Sequence, residues 1–126
     1  MSTLSPLELA AHGVRAGTDT IERLMELFVG EMVFLPSSTD PASGVSPVLT
    51  NVGDSVCMVV GVSPPALRPV ASMMRFVVTL TGRQALAGLG ESHGVMVLLT
   101  DGAFEINADL AREARQKYGV ESRNAG

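Results

Sequence analysis

The chain has 126 residues, close to the commonest domain size, so one hydrophobic core is expected, and 46% hydrophobic against 17% charged residues is far from a disordered composition. Nine lysines and arginines scattered through a chain of net charge −4 leave no electrostatic footprint for DNA or RNA. No apolar run approaches the roughly 20 residues that cross a bilayer, and Met1-Ser2-Thr3-Leu4-Ser5-Pro6 lacks the basic and apolar regions of a secretory signal, so the expectation is a soluble, cytoplasmic protein without membrane insertion.

Ser5-Pro6-Leu7-Glu8 has the form of a capping box with proline at the first helical position. Leu7, Ala10, Ala11 and Val14 then share one helical face, and Gly13 or Gly17 offers the left-handed stop. Asp19-Thr20-Ile21-Glu22 repeats the start signal, and Ile21, Leu24, Met25 and Phe28 form a second stripe. Met32-Val33-Phe34-Leu35 is a short strand closed by Pro36, and residues 36–46, rich in Ser, Pro, Asp and Gly, read as a mobile loop.

Gly53-Asp54 suits a tight hairpin between residues 47–50 and 56–62, and the unbroken apolar character of the second run predicts a central strand buried on both faces. Cys57 lies inside that run, where a small buried side chain is the natural reading; alone, it cannot form an internal disulfide. Ser63-Pro64-Pro65-Ala66-Leu67 starts a helix that Pro69 limits to a turn or two. Met74, Phe76, Val78 and Leu80 alternate with Arg75, Val77 and Thr79, predicting a half-buried strand that ends at Thr81-Gly82.

A brief helix over 84–89 leads into a glycine-rich connection, 88–94. Residues 95–100, Asp101-Gly102 and 103–106 have the arrangement of a β-hairpin with a two-residue turn. Asn107 caps a last helix whose Leu110, Ala111, Ala114 and Tyr118 share a face; residues 119–126 read as a flexible tail. The whole is therefore expected to be a single α+β domain, 1–126, with a mixed, mostly antiparallel sheet carrying two N-terminal helices and a C-terminal one.

Motifs that would carry chemistry are incomplete. Gly53-Asp54-Ser55 resembles the serine block of the lipases that begin with a Gly-Asp-Ser motif, with His93 and Asp101 as partners to consider, but the late Asp-x-x-His pair is missing and a hairpin turn accounts for the same residues. Gly88-Leu89-Gly90 with Gly94 has the wrong spacing for a dinucleotide loop and precedes a strand. His12, His93 and Cys57 form no metal-ligand pair at usable spacing. No cofactor, metal or catalytic residue is expected.

The order of features resembles the N-terminal domain of the SseB family, named after the enhanced serine sensitivity protein. The resemblance spans about residues 18 to 115. It rests on Glu31-Met32-Val33-Phe34-Leu35-Pro36, on the apolar strand entering Ser63-Pro64-Pro65, and on the later helix, glycine-led strand and closing segment (86–91, 94–100 and 106–110). Gly61-Val62-Ser63 stands where the family usually has an aromatic before Thr-Ser, and Thr100-Asp101-Gly102 where Asn-Pro-Gly is frequent. The resemblance implies a non-catalytic bacterial protein that binds or scaffolds other proteins, in some cases around secretion.

Three functions follow as expectations. The first is an interaction module, with a homodimer as one form, using Met73 and Met74 and strand edges near Val33 and Val48, blunted by Pro36 and Pro47. The alternative is a sensor of an amino acid or anion, with Arg83, Gly88, Gly90 and His93 around a pocket rim. The third is a small hydrolase built on Ser55.

Overall fold

In a computed structural model of the chain, residues 6–44, 46–89 and 92–118 are described. Two helices, α1 (Pro6–Ala16) and α2 (Ile21–Gly30), precede strands β1 (Met32–Ser37), β2 (Leu49–Val52) and β3 (Ser55–Gly61). A 3₁₀ segment (Pro64–Met73), β4 (Phe76–Thr81), α3 (Gly82–Ala87), β5 (Gly94–Leu99), β6 (Gly102–Ile106) and α4 (Ala108–Lys117) complete the order. The six strands form one sheet in the order β4-β1-β3-β5-β6, with β2 also paired to β3. Every pairing is antiparallel except β3 with β5, so the domain is α+β with a mixed sheet. Among the described residues no helix is long and apolar enough to cross a membrane.

The apolar run of β3 is central as expected: Cys57, Val59 and Val60 are at most 1% exposed. One face of the sheet carries the helices, where Leu7, Phe28, Leu86 and Ala111 meet Val33, Val60, Val95 and Val97. On the other face the 3₁₀ segment lays Ala66, Leu67 and Val70 over Val48, Val59 and Leu98. That segment runs to Met73 through Pro69, beyond the turn or two expected. Burial of three apolar side chains holds it, where intrinsic propensity would have stopped it.

Gly17, at φ +79°, is the stop of α1, while Gly13 stays inside the helix. Thr20 Oγ1 accepts from Arg23 N and starts α2, and Asn107 Oδ1 accepts from Leu110 N and starts α4. At the β2–β3 turn Gly53 has φ +60°, as a type II′ hairpin requires at its first central position. The β5–β6 turn lies one residue earlier than the glycine suggested: Leu99 pairs with Gly102, and the loop is Thr100-Asp101 with neither residue at positive φ.

The cause of that early turn is a polar strap along α1. Glu8, 4% exposed, accepts from Thr100 N at 3.3 Å and Thr100 Oγ1 at 2.6 Å. His12 Nε2 lies 3.3 Å from Asp101 Oδ2, without hydrogen-bond alignment, and Arg15 Nη2 donates to Ala103 O at 2.9 Å. Ser5, the other half of the expected capping box, is outside the described residues. Glu8→Ala is expected to destabilise the protein by about 1–2 kcal/mol, since Thr100 loses a charge-assisted acceptor. A thermal or urea double-mutant cycle with Thr100→Ala checks it, and additive effects would contradict the contact.

Two expectations about β1 need correction. It is an inner strand, between β4 and β3, and it continues through Pro36 to Ser37. Proline is tolerated there because Pro47-Val48, just ahead of β2, enters between β1 and β3 at that point: Pro36 O accepts from Val48 N at 3.2 Å, Val48 O accepts from Val59 N at 2.9 Å, Ser37 bridges to Pro47, and β1 pairs directly with β3 only at Phe34↔Gly61. The following loop is tied by the fully buried Ser37, whose Oγ donates to Thr39 O and accepts from Thr39 N and Ser46 N.

Candidate functional site

The two strands that end the β4-β1-β3-β5-β6 path are finished differently. β6 is five residues long, includes the charged Glu105, and has Arg15 lying on the carbonyl of Ala103. Short length, charge and a covering side chain are devices that deter further strand pairing. Among the described residues β4 shows neither a charge nor a covering side chain: Phe76-Val77-Val78-Thr79-Leu80-Thr81 is uncharged, free of glycine and proline, and rich in β-branched residues.

Backbone geometry fixes which groups of β4 point outward. Gly82 N donates to Glu31 O at 3.0 Å in register with the ladder, and the carbonyl of Pro36, opposite Val77, is turned toward Val48. With the alternation of an antiparallel ladder, Phe76, Val78 and Leu80 therefore bond to β1, while the N–H and C=O of Val77 and Thr79 face the open edge. Thr81 N is already taken by Gln84 Oε1 at 2.9 Å, half of a capping box that starts α3.

The edge is also where apolar surface collects. Of the seven large hydrophobic side chains most exposed among the described residues, Met32, Met73, Phe76 and Val77 lie on β4, in its β1 partner or in the segment leading to it. Arg75 and Arg83 bracket the strand, both exposed and without an ion-pair partner among the described residues. Within residues 55–100 the cations are Arg68, Arg75 and Arg83, and Glu91 is the only acid, so this part of an acidic chain is locally cationic.

The residues singled out from the sequence are dispersed. Val33 is fully buried and Val48 is 6% exposed, so neither offers an interaction surface; the inner position of β1 and the bonds of Val48 to Pro36 and Val59 account for both. Met73 is 50% exposed, whereas Met74 packs partly against the second core cluster. Arg83 donates from Nη1 to Tyr118 O at 2.6 Å, Gly88 closes α3, and His93 is half-buried just before β5. Gly90 is outside the described residues. The hydrolase set is not assembled either: the parallel register puts Ser55 and Asp101 beyond opposite ends of β5, about 26 Å apart at 3.3 Å per residue.

Cys57 lies on the sheet face that carries the 3₁₀ segment, its Sγ 3.7 Å from Glu105 Oε2. Burial, and then the neighbouring carboxylate, push its thiol pKa up. The native thiol is therefore expected to react with a disulfide reagent at pH 8 far more slowly than in urea, measurable by absorbance. Because the folded-state value is the raised one, the stability it contributes is present below the ordinary thiol pKa and is lost as pH rises through the shifted one. A urea midpoint that falls above pH 9 less in Cys57→Ala than in the parent checks this sign.

A groove of about 890 Å³ runs between the 3₁₀ segment and the β5–β6 hairpin, with Ala66, Leu98 and Ala103 along it and Arg68 among its walls. It is larger than the clefts beside Met25 and Leu110, of about 390 and 150 Å³. Compared with known proteins, the chain matches no family model, no curated protein and no solved structure.

Proposed function

We propose that this chain is a non-catalytic protein-interaction module that receives an extended segment as an added strand on β4. The observation that carries the reading is the outward row of Val77 and Thr79 backbone groups on an uncharged apolar strand, at a sheet edge that no charge or covering side chain among the described residues blunts. The four backbone groups set the direction and register of the added strand, and side-chain contacts with Phe76 and Val77 supply the affinity beyond the cost of association. The resemblance in pattern to the SseB N-terminal domain belongs to the same proposal, as do a role around secretion and a cytoplasmic setting.

An acetylated and amidated peptide of alternating valine and threonine, titrated into the labelled chain, tests the reading. Saturable amide shifts are expected at Val77 and Thr79, and none in Thr79→Pro. Shifts centred elsewhere would remove it.

The second reading, a sensor of a small anion, finds support in Arg68 beside the apolar groove. It predicts a melting temperature that rises with one small carboxylate or phosphate compound and no longer does so in Arg68→Ala.

A further inference from the structure

Resting on the anion-sensor reading and independent of strand addition at β4, we infer that the groove beside the 3₁₀ segment takes a straight-chain alkyl carboxylate. Its carboxylate meets Arg68, and its hydrocarbon chain lies along Ala66, Leu98 and Ala103. The volume of about 890 Å³ falls within the range of small-molecule sites, roughly 300–1,000 Å³. The groove opens where the parallel pair of the sheet ends: Leu98 is the last β5 residue in register with β3, and the 3₁₀ segment begins three residues after β3. Open sheets with parallel strands hold their ligands at this carboxyl end.

The walls decide the chemistry, because their polar groups are taken. Leu98 O accepts from Val62 N at 3.1 Å, Ala66 N donates to Ser63 O at 3.1 Å, and Thr100 N and Oγ1 both donate to Glu8 Oε2. Arg15 Nη2 donates to Ala103 O, and Pro65 and Pro69 have no N–H to give. A peptide laid here would bury amides without partners, a cost that a hydrocarbon chain does not meet. Arg68 is the charged side chain among the described walls; it is exposed and has no ion-pair partner among the described residues. The acids of the hairpin lie against other groups, Asp101 Oδ2 3.3 Å from His12 Nε2 and Glu105 Oε2 3.7 Å from Cys57 Sγ, and neither lines the groove. A lone cation beside an apolar trough fits one anionic head on an apolar tail.

The experiment uses the full labelled chain and, as probes, butanoate, hexanoate and octanoate. Octanol is the uncharged counterpart, inorganic phosphate the small anion, and an acetylated Ala-Val-Leu peptide with a free carboxylate the competing occupant. Amide shifts at Ala66, Leu98 and Ala103 give each affinity, in the parent and in Arg68→Gln. Affinity is expected to rise about two- to fourfold per methylene, the upper figure for a fully buried one, so octanoate binds at least about tenfold more tightly than butanoate. Octanol binds about threefold more weakly than octanoate, and Arg68→Gln erases that difference while leaving octanol binding unchanged. Carboxylates that bind regardless of chain length but lose binding in Arg68→Gln overturn the alkyl chain and leave the anion sensor standing. Octanol bound as tightly as octanoate overturns the role of Arg68 and, with it, both readings of the groove. A peptide bound more tightly than octanoate overturns the alkyl ligand in favour of a chain terminus. Phosphate alone shifting those amides overturns the inference and keeps the sensor, and no probe shifting them overturns both; none of these outcomes touches strand addition at Val77 and Thr79.

Discussion

Gly82→Ala is expected to remove about 3 kcal/mol or more of stability, enough to lower the melting temperature by at least about 10 °C or to leave no folded protein. Gly82 begins α3 where that helix abuts the end of α2. A Cβ there would overlap the carbonyl oxygen of Phe28 and come within 2.7 Å of its carbonyl carbon and 2.9 Å of Cδ2. Phe28 is fully buried and its carbonyl belongs to the last turn of α2, so the obstacle is backbone that cannot rotate away. Gly88, six residues on, is the control: a Cβ there has nothing closer than 3.9 Å, and Gly88→Ala should stay within about 0.5 kcal/mol of the parent. Equal melting temperatures for the two variants would mean that α2 and α3 do not meet as described.

The second large effect separates neighbours on one strand. Val78→Pro should cost about 3 kcal/mol, because the amide of Val78 bonds to β1 opposite Leu35 and proline has none to give. Thr79→Pro should cost about 1 kcal/mol, since its amide points outward and proline is tolerated at an edge with that orientation. Urea midpoints of the two variants provide the comparison, and Thr79→Pro as damaging as Val78→Pro would place a ladder where β4 has an open edge.

Local signals in the sequence carried much of this architecture. Gly17, Thr20, Gly53 and Asn107 each act where a helix cap or turn needs them, and the apolar run through Cys57 to Val60 is the central strand. Pairing between distant segments was not legible, because nothing within the 56–60 run says that its neighbour is β5 running parallel, or that β4 lies outside β1. The β5–β6 turn moved by one residue for the same reason: Glu8 and Arg15, far away in sequence, hold Thr100 and Ala103.

The start of α3 was within reach. Thr81-Gly82-Arg83-Gln84 has the spacing of a capping box, which the strand-ending look of Thr81-Gly82 masked. Arg115 was not, since a buried guanidinium donating to Leu89 O depends on where α4 docks. For the candidate site, the sequence offered β4 as a half-buried alternating strand. What it withheld was the strand's place at the edge; the legible hint was an uncharged six-residue run bracketed by Arg75 and Arg83 in a stretch almost free of acids.

Amide hydrogen exchange along β4 in the chain alone tests the central claim most directly. The account predicts an alternation: Val78 and Leu80 slow, Val77 and Thr79 faster by at least about tenfold, because only the first pair bonds to β1. Uniformly slow exchange across Val77, Val78, Thr79 and Leu80 in a monomer would contradict it, since the edge would then already be covered.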